Sequence, residues 1–184
     1  SNGIHSNGFS LINDMIKQCE LNSELEEHNS LICESKIKEL LKPTRIYTEI
    51  PKMLTIPELR DNILGIAHIT GGGFSDNVYR ILSHSAYKNL DEYHSPLTWE
   101  LNFELNDMFD YLSNPEYGIT DVIELYKWVQ SLTRTSMKDM FKTFNCGIGM
   151  VFIMKEDTDI NLFKEQGFDE FIPLGKVIEI PEVE

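Results

Sequence analysis

The sequence predicts an α/β domain in the broad sense, a mixed β-sheet covered by helices with glycine loops at strand ends. Three observations carry this. Apolar residues recur at helical spacing in Phe9, Ile12, Met15, Ile16 and Cys19, and again in Val122, Ile123, Leu125, Tyr126, Val129 and Leu132. Apolar runs of strand length, Leu64 to Ile69 and Met150 to Met154, each adjoin a glycine turn. The chain closes in the order strand, helix, strand, which resembles half of a ferredoxin-like unit.

Taken in order, Ser6 or Asn7 is placed to cap a helix over about 8–21. Residues 22–35 are mostly polar, with Glu24, Glu26, Glu27 and His28, and read as a loop or a solvated helix edge. Pro43 marks a turn before a short extended stretch to Tyr47, and a helical segment follows over about 49–60. The strand ending at Ile69 runs into Thr70, Gly71, Gly72 and Gly73, after which Ser75 or Asp76 can cap a helix over Val78, Ile81 and Leu82. Residues 90–120 are irregular, with weak alternation over 99–105 and a helical pattern over 105–112. Helices are expected over about 120–132 and 137–144, a strand over 150–154, a helix over 158–166 ended by Gly167, and a last strand over 175–180.

A chain of 184 residues that is 41% apolar can bury one sizeable core, so a single domain over 1–184 is expected. The formal charge of −14 argues against nucleic acid and anionic membrane as partners. A phosphate ligand would therefore be held by local backbone amides, a helix N-terminus or a metal ion. Cys19, Cys33 and Cys146 form no CxxC pair, which fits a reducing, cytoplasmic setting better than a disulfide framework or a zinc site. No run approaches the roughly 20 apolar residues of a membrane span. The sequence opens without Met inside a turn motif, as a piece of a longer protein would.

Three segments can carry chemistry. Consecutive glycines at 71–73 cost conformational entropy, so some close approach of backbone is needed there. Such a turn can aim N–H groups at an anion, or it can simply be a tight strand-to-helix connection. His5, Ser6, Asn7 and Gly8 put polar groups at a helix start, where they serve as a cap or orient a polar ligand. Asn145, Gly147 and Gly149 form a second glycine turn before a core strand. Cys146 has no basic residue closer in sequence than Lys142 and is not a candidate nucleophile. His28, His84 and His94 lack metal-ligand spacing, Trp99 and Trp128 read as packing residues, and the acidic run Asp107, Asp110, Glu116 and Asp121 fits no calcium loop.

Four ordered blocks carry a family resemblance: Gly3-Ile4-His5-Ser6-Asn7-Gly8-Phe9-Ser10-Leu11, Pro43-Thr44-Arg45-Ile46-Tyr47, Gly65-Ile66-Ala67-His68-Ile69-Thr70-Gly71-Gly72-Gly73, and Met140-Phe141-Lys142-Thr143-Phe144-Asn145-Cys146-Gly147-Ile148-Gly149-Met150. Together they resemble the C-terminal domain of aminoimidazole ribonucleotide synthetases, also called phosphoribosylformylglycinamidine cyclo-ligases. Residues 99–121 read as an atypical surface insertion against that pattern. The resemblance implies ATP-dependent ring closure of formylglycinamidine ribonucleotide, with ATP and Mg2+ held mainly by an N-terminal domain that also forms a homodimer. It also implies roles within this chain. His5 and His68 become candidates for catalysis, Ser6, Asn7, Gly8, Thr70, Gly71, Gly72 and Gly73 for substrate or phosphate binding, and Asn145, Gly147 and Gly149 for shaping the cleft; no metal ligand is assigned. Alternatives on the same scaffold are an ATP-using enzyme of the formylglycinamidine ribonucleotide synthetase, selenophosphate synthetase or thiamine-phosphate kinase type, or a non-catalytic ligand-binding segment.

Overall fold

The computed structural model describes residues 1–23, 34–86 and 97–180. Much of the stretch expected to be a polar loop at 22–35, with His28 and Cys33, lies outside the described residues, as does His94.

Helix α1 (Phe9–Ser23) begins at the expected corner and buries Ile12, Met15 and Cys19 along one face. Helix α2 (Glu34–Leu40) leads to an extended stretch through Tyr47 that joins no described ladder. The helical pattern of 49–60 is split into α3 (Glu49–Leu54) and α4 (Pro57–Arg60), because Pro57 has no N–H for the preceding turn and holds Ile56 extended at ψ 109°. Strand β1 (Ile63–His68) then leads through the glycine turn into α5 (Gly73–Ala86). That helix starts at Gly73, so Ser75 and Asp76 lie in its first turn instead of capping it.

Strand β2 (Leu97–Leu101) is followed by a short 3-10 turn and α6 (Met108–Leu112). The segment read as a surface insertion over 99–121 is exposed or half-buried along most of its length, but Met108, Phe109 and Leu112 are buried in the main core. Their apolar side chains pack beside Tyr126 of α7 (Thr120–Thr133), whose Val122, Ile123, Leu125 and Val129 line the same core. Helix α8 (Met137–Thr143) opens with a reciprocal cap in which the Ser136 hydroxyl accepts from the Asp139 N–H at 3.2 Å and donates to its carboxylate at 2.6 Å.

Strand β3 (Met150–Met154), α9 (Asn161–Glu165) and β4 (Gly175–Glu179) supply the closing strand–helix–strand order. The two strands pair with different partners: β3 with β1 and β4 with β2, both antiparallel. The α/β class is as expected, but the described ladders are two antiparallel pairs instead of one mixed sheet. The β1–β3 pair lies between two apolar layers. Ala67 and Val151 face the main core with α5, whereas Ile63, Phe152 and Met154 pack on a smaller cluster of Met53, Leu59 and Phe163. The pair thus holds the glycine turn after β1 beside the Asn145 turn before β3, and the Ile69 N–H donates to the Gly149 carbonyl at 2.9 Å.

Candidate functional site

Three chain reversals meet at this end of the β1–β3 pair: the corner at 2–8, the turn at 70–73 and the turn at 145–149. Asn145, fully buried, ties two of them. Its Nδ2 donates to the carbonyls of Gly3 at 3.0 Å and Ile4 at 3.4 Å, and its Oδ1 accepts from the Gly147 N–H at 2.9 Å, the Ser1 hydroxyl at 2.7 Å and the Tyr126 hydroxyl at 3.0 Å. The Ser1 nitrogen also donates to the Gly147 carbonyl. Asn7 closes the triangle, because a Cβ built on Gly71 would stand 4.0 Å from its Oδ1. Asn7, Gly71 and the Asn145 turn are therefore gathered at one end of the fold.

His5 sits at φ 61°, a left-handed conformation that a non-glycine residue adopts only where its surroundings hold it. Its Nε2 lies 2.7 Å from Asn2 Oδ1. Asn2 is itself oriented, since its Nδ2 donates to the Pro43 carbonyl at 3.1 Å and its Oδ1 accepts from the Arg45 N–H at 3.2 Å. An amide oxygen cannot donate, so the His5 proton belongs on Nε2 and the Nδ1 lone pair is left available. Burial lowers the His5 pKa to about 4. His5 is a neutral imidazole of fixed tautomer and a poor proton acceptor near neutral pH. His68 is exposed and stands edge-on to Tyr47, ring centroids 5.8 Å apart. Arg45 lies over the other aromatic neighbour of this corner, 5.3 Å from the Tyr47 ring centroid, and pairs with Glu49 and Glu170.

The glycines divide by cause. Gly8 has φ 73° and a Cβ there would enter the Phe144 ring, while Gly73 has φ 62° and a Cβ would enter the carbonyls of Phe141 and Lys142. Internal packing accounts for both. Gly71 differs: it is exposed, its φ lies outside the left-handed region, and a Cβ would touch only Asn7. Neither strain nor packing asks for glycine at 71, so the space above it is free for a group from outside the fold. Gly72 has φ 92° and abuts the Asp76 side chain. Ser6 is exposed at the rim, and Thr70 half-buried beneath.

Residues that sequence reasoning missed hold these turns in place. Asn77, 6% exposed, lies on the apolar face of α5 between Phe74 and Ile81, and an asparagine interrupting an apolar stripe was the available signal. Tyr126 is raised well above the ordinary tyrosine pKa by burial and reaches both Asn145 and the Gly3 carbonyl. Tyr47, raised by burial, keeps its hydroxyl against Gly149 with no hydrogen-bond partner. Cys146 is fully buried and burial raises its thiol pKa, so it is no nucleophile. A shallow concavity of about 150 Å³ lies away from Gly71, between α2 and α7, where Lys36 and Lys42 mingle with Glu39, Asp121 and Glu124.

An α/β fold with two glycine turns and a His-Ser-Asn corner at one end defines the class to which the chain belongs. It is a member of the family described as AIR synthase related protein, C-terminal domain, whose pattern matches residues 1–184. Individual relatives narrow this further. The chain is 31% identical over 179 residues to a phosphoribosylformylglycinamidine cyclo-ligase of Caldicellulosiruptor saccharolyticus, covering 94% of this chain and 43% of that protein. It is 34% identical over 162 residues to the protein of that name from Lawsonia intracellularis, covering 86% and 37%, and 33% identical over 170 residues to the one from Neisseria meningitidis serogroup C, covering 91% and 40%. The chain thus spans about two fifths of the length of the curated relatives it matches.

Proposed function

We propose that this chain is the C-terminal half of an ATP-dependent cyclo-ligase that converts formylglycinamidine ribonucleotide to 5-aminoimidazole ribonucleotide, ADP and phosphate. The relatives' name supports the reaction, and the observation that carries the site is Gly71, a glycine that the fold itself does not require, facing Asn7. In this reading ATP phosphorylates the formyl oxygen and ADP leaves. An amidine nitrogen then attacks the formyl carbon, the C–O bond breaks with its electron pair on phosphate, and loss of a proton leaves the aromatic ring. Such chemistry depends on holding nitrogen and carbon in near-attack geometry and on donors for the phosphate charge.

The chain's own residues serve positioning. The turn at 70–73 presents N–H groups to the substrate phosphate, Asn7 and Ser6 bind polar substrate atoms beside it, and neutral His5 offers Nδ1 as a hydrogen-bond acceptor. His68, exposed at the same end, is the better candidate for proton transfer. Among the described residues no three His, Cys, Asp or Glu side chains gather as a metal site. Mg2+ and most contacts to the ATP triphosphate are assigned to an N-terminal domain, and no step here runs through the metal. The full enzyme is taken as a cytoplasmic homodimer.

The test is turnover of formylglycinamidine ribonucleotide by the full-length protein with ATP and Mg2+, read as the aminoimidazole product. Turnover of selenide or thiamine phosphate instead would assign it to another branch of the superfamily. The isolated 184 residues should bind the ribonucleotide weakly in calorimetry and hydrolyse no ATP. Robust hydrolysis by them alone would overturn this division of labour.

A further inference from the structure

The turn at 70–73 is held from below by a single side chain. Asn77 Nδ2 donates to the carbonyls of Thr70 at 3.3 Å, Gly71 at 3.3 Å and Gly73 at 2.6 Å. Its Oδ1 accepts from the Thr70 hydroxyl at 3.4 Å and from Arg80 at 3.3 Å, which fixes the donor end of the amide toward the carbonyls. No peptide among the described residues is cis. In a trans peptide the C=O and N–H point in opposite directions. Drawing the carbonyls of Thr70, Gly71 and Gly73 toward Asn77 therefore turns the N–H groups of Gly71, Gly72 and Phe74 away from it.

We infer that Asn77 is the positioning residue of this turn: it never meets the ligand, yet it sets which face of the peptides the ligand meets. The inference rests on the proposed reading that the turn binds the ribonucleotide. Glycine makes the dependence sharp. Peptides flanked by residues without Cβ flip easily, and the native orientation needs an outside anchor. Helix α5 supplies that anchor one turn into its length, where Asn77 is shielded from water that would compete for the carbonyls. Asn77 also puts two N–H bonds against three acceptors, so a side chain without donors at 77 leaves the turn only the bond from the Gly73 N–H to the Thr70 carbonyl at 3.0 Å.

The experiment uses the full-length enzyme and steady-state kinetics with each substrate varied. Asn77→Asp keeps the shape, removes both donors and sets a carboxylate against the carbonyls. It should raise the KM for the ribonucleotide about tenfold near pH 8, the usual scale for losing hydrogen bonds to a charged group. As pH falls and the new carboxyl takes a proton, it can donate again, so that KM should recover toward wild type. A merely structural residue would lower melting temperature and apparent kcat through the folded fraction, leaving the KM of the folded molecules unchanged. Should Asn77→Asp fail to fold, Asn77→Ser removes the amide fork without adding charge and is read by the same rise in ribonucleotide KM, with no recovery at low pH. A ribonucleotide KM within twofold of wild type in the variant that folds overturns the inference. Gly71→Ala distinguishes the two claims. If it raises the ribonucleotide KM while the Asn77 variant does not, positioning alone is wrong; if it leaves KM unchanged, the reading of the turn as a ligand site falls.

Discussion

Asn145→Leu keeps much of the side-chain volume at a fully buried position and deletes every polar contact made there, which isolates the tie between the corner at 2–8 and the turn at 145–149. The consequences differ from group to group. The Gly3 carbonyl keeps the Tyr126 hydroxyl as a donor at 3.3 Å, so it is not orphaned. The Gly147 N–H loses the acceptor at 2.9 Å, and the Ile4 carbonyl loses its 3.4 Å donor; both residues are buried. A buried polar group without a partner costs about 1–3 kcal/mol, and leucine returns about 1 kcal/mol of apolar burial, so a net loss of about 3 kcal/mol is expected. Tyr126→Phe, by contrast, removes one donor whose acceptors keep others, and should cost about 1 kcal/mol. Urea denaturation followed by the fluorescence of Trp99 and Trp128 reads both values. If Asn145→Leu destabilises no more than Tyr126→Phe, Asn145 does not hold the two turns together and the account of the site's architecture is wrong.

Other consequences follow from the same geometry. The His5 pKa of about 4 lies below the ordinary 6.5, so between those values the unfolded chain binds more protons than the folded one. The stability this gives is full above about pH 6.5 and declines as pH falls toward 4; His5→Asn, which tolerates φ 61°, should flatten that decline when urea midpoints are compared across pH. Gly73→Ala drives a Cβ into the carbonyls of Phe141 and Lys142 and should cost more than about 3 kcal/mol by thermal or urea unfolding. Gly118→Ala, at φ 65° in open space, carries only backbone strain of about 1 kcal/mol; equal losses at the two sites would refute the packing explanation for Gly73. Asp76→Asn removes a carboxylate lying against Gly72 and should tighten inorganic phosphate about threefold at low salt, as exposed charge pairs do. Unchanged affinity in calorimetry would place the anion elsewhere.

Much of the fold was legible because its elements repeat a pattern over many residues. The helical spacing of Val122 to Leu132 gave α7 within a residue or two, and the runs at 64–69 and 150–154 gave β1 and β3. Where the pattern was short, reading failed: 158–166 shrank to α9 at Asn161–Glu165, and 49–60 broke at Pro57. The helical pattern over 105–112 became α6 at Met108–Leu112, a stripe too brief to show in advance that Met108, Phe109 and Leu112 enter the main core.

The sequence by itself determined that two glycine turns and a polar corner exist, and where each lies along the chain, since turns and caps depend on side chains a few residues apart. Only the tertiary structure decided which glycines serve packing and which faces open space, because that depends on Phe144, Phe141 and Lys142 arriving from a distant segment. It likewise decided that β1 pairs with β3 and β2 with β4, since backbone hydrogen bonds are the same for every residue and carry no address in the sequence. Asn77 joins both levels: its identity is local, but its meaning comes from the three carbonyls that the fold brings to it.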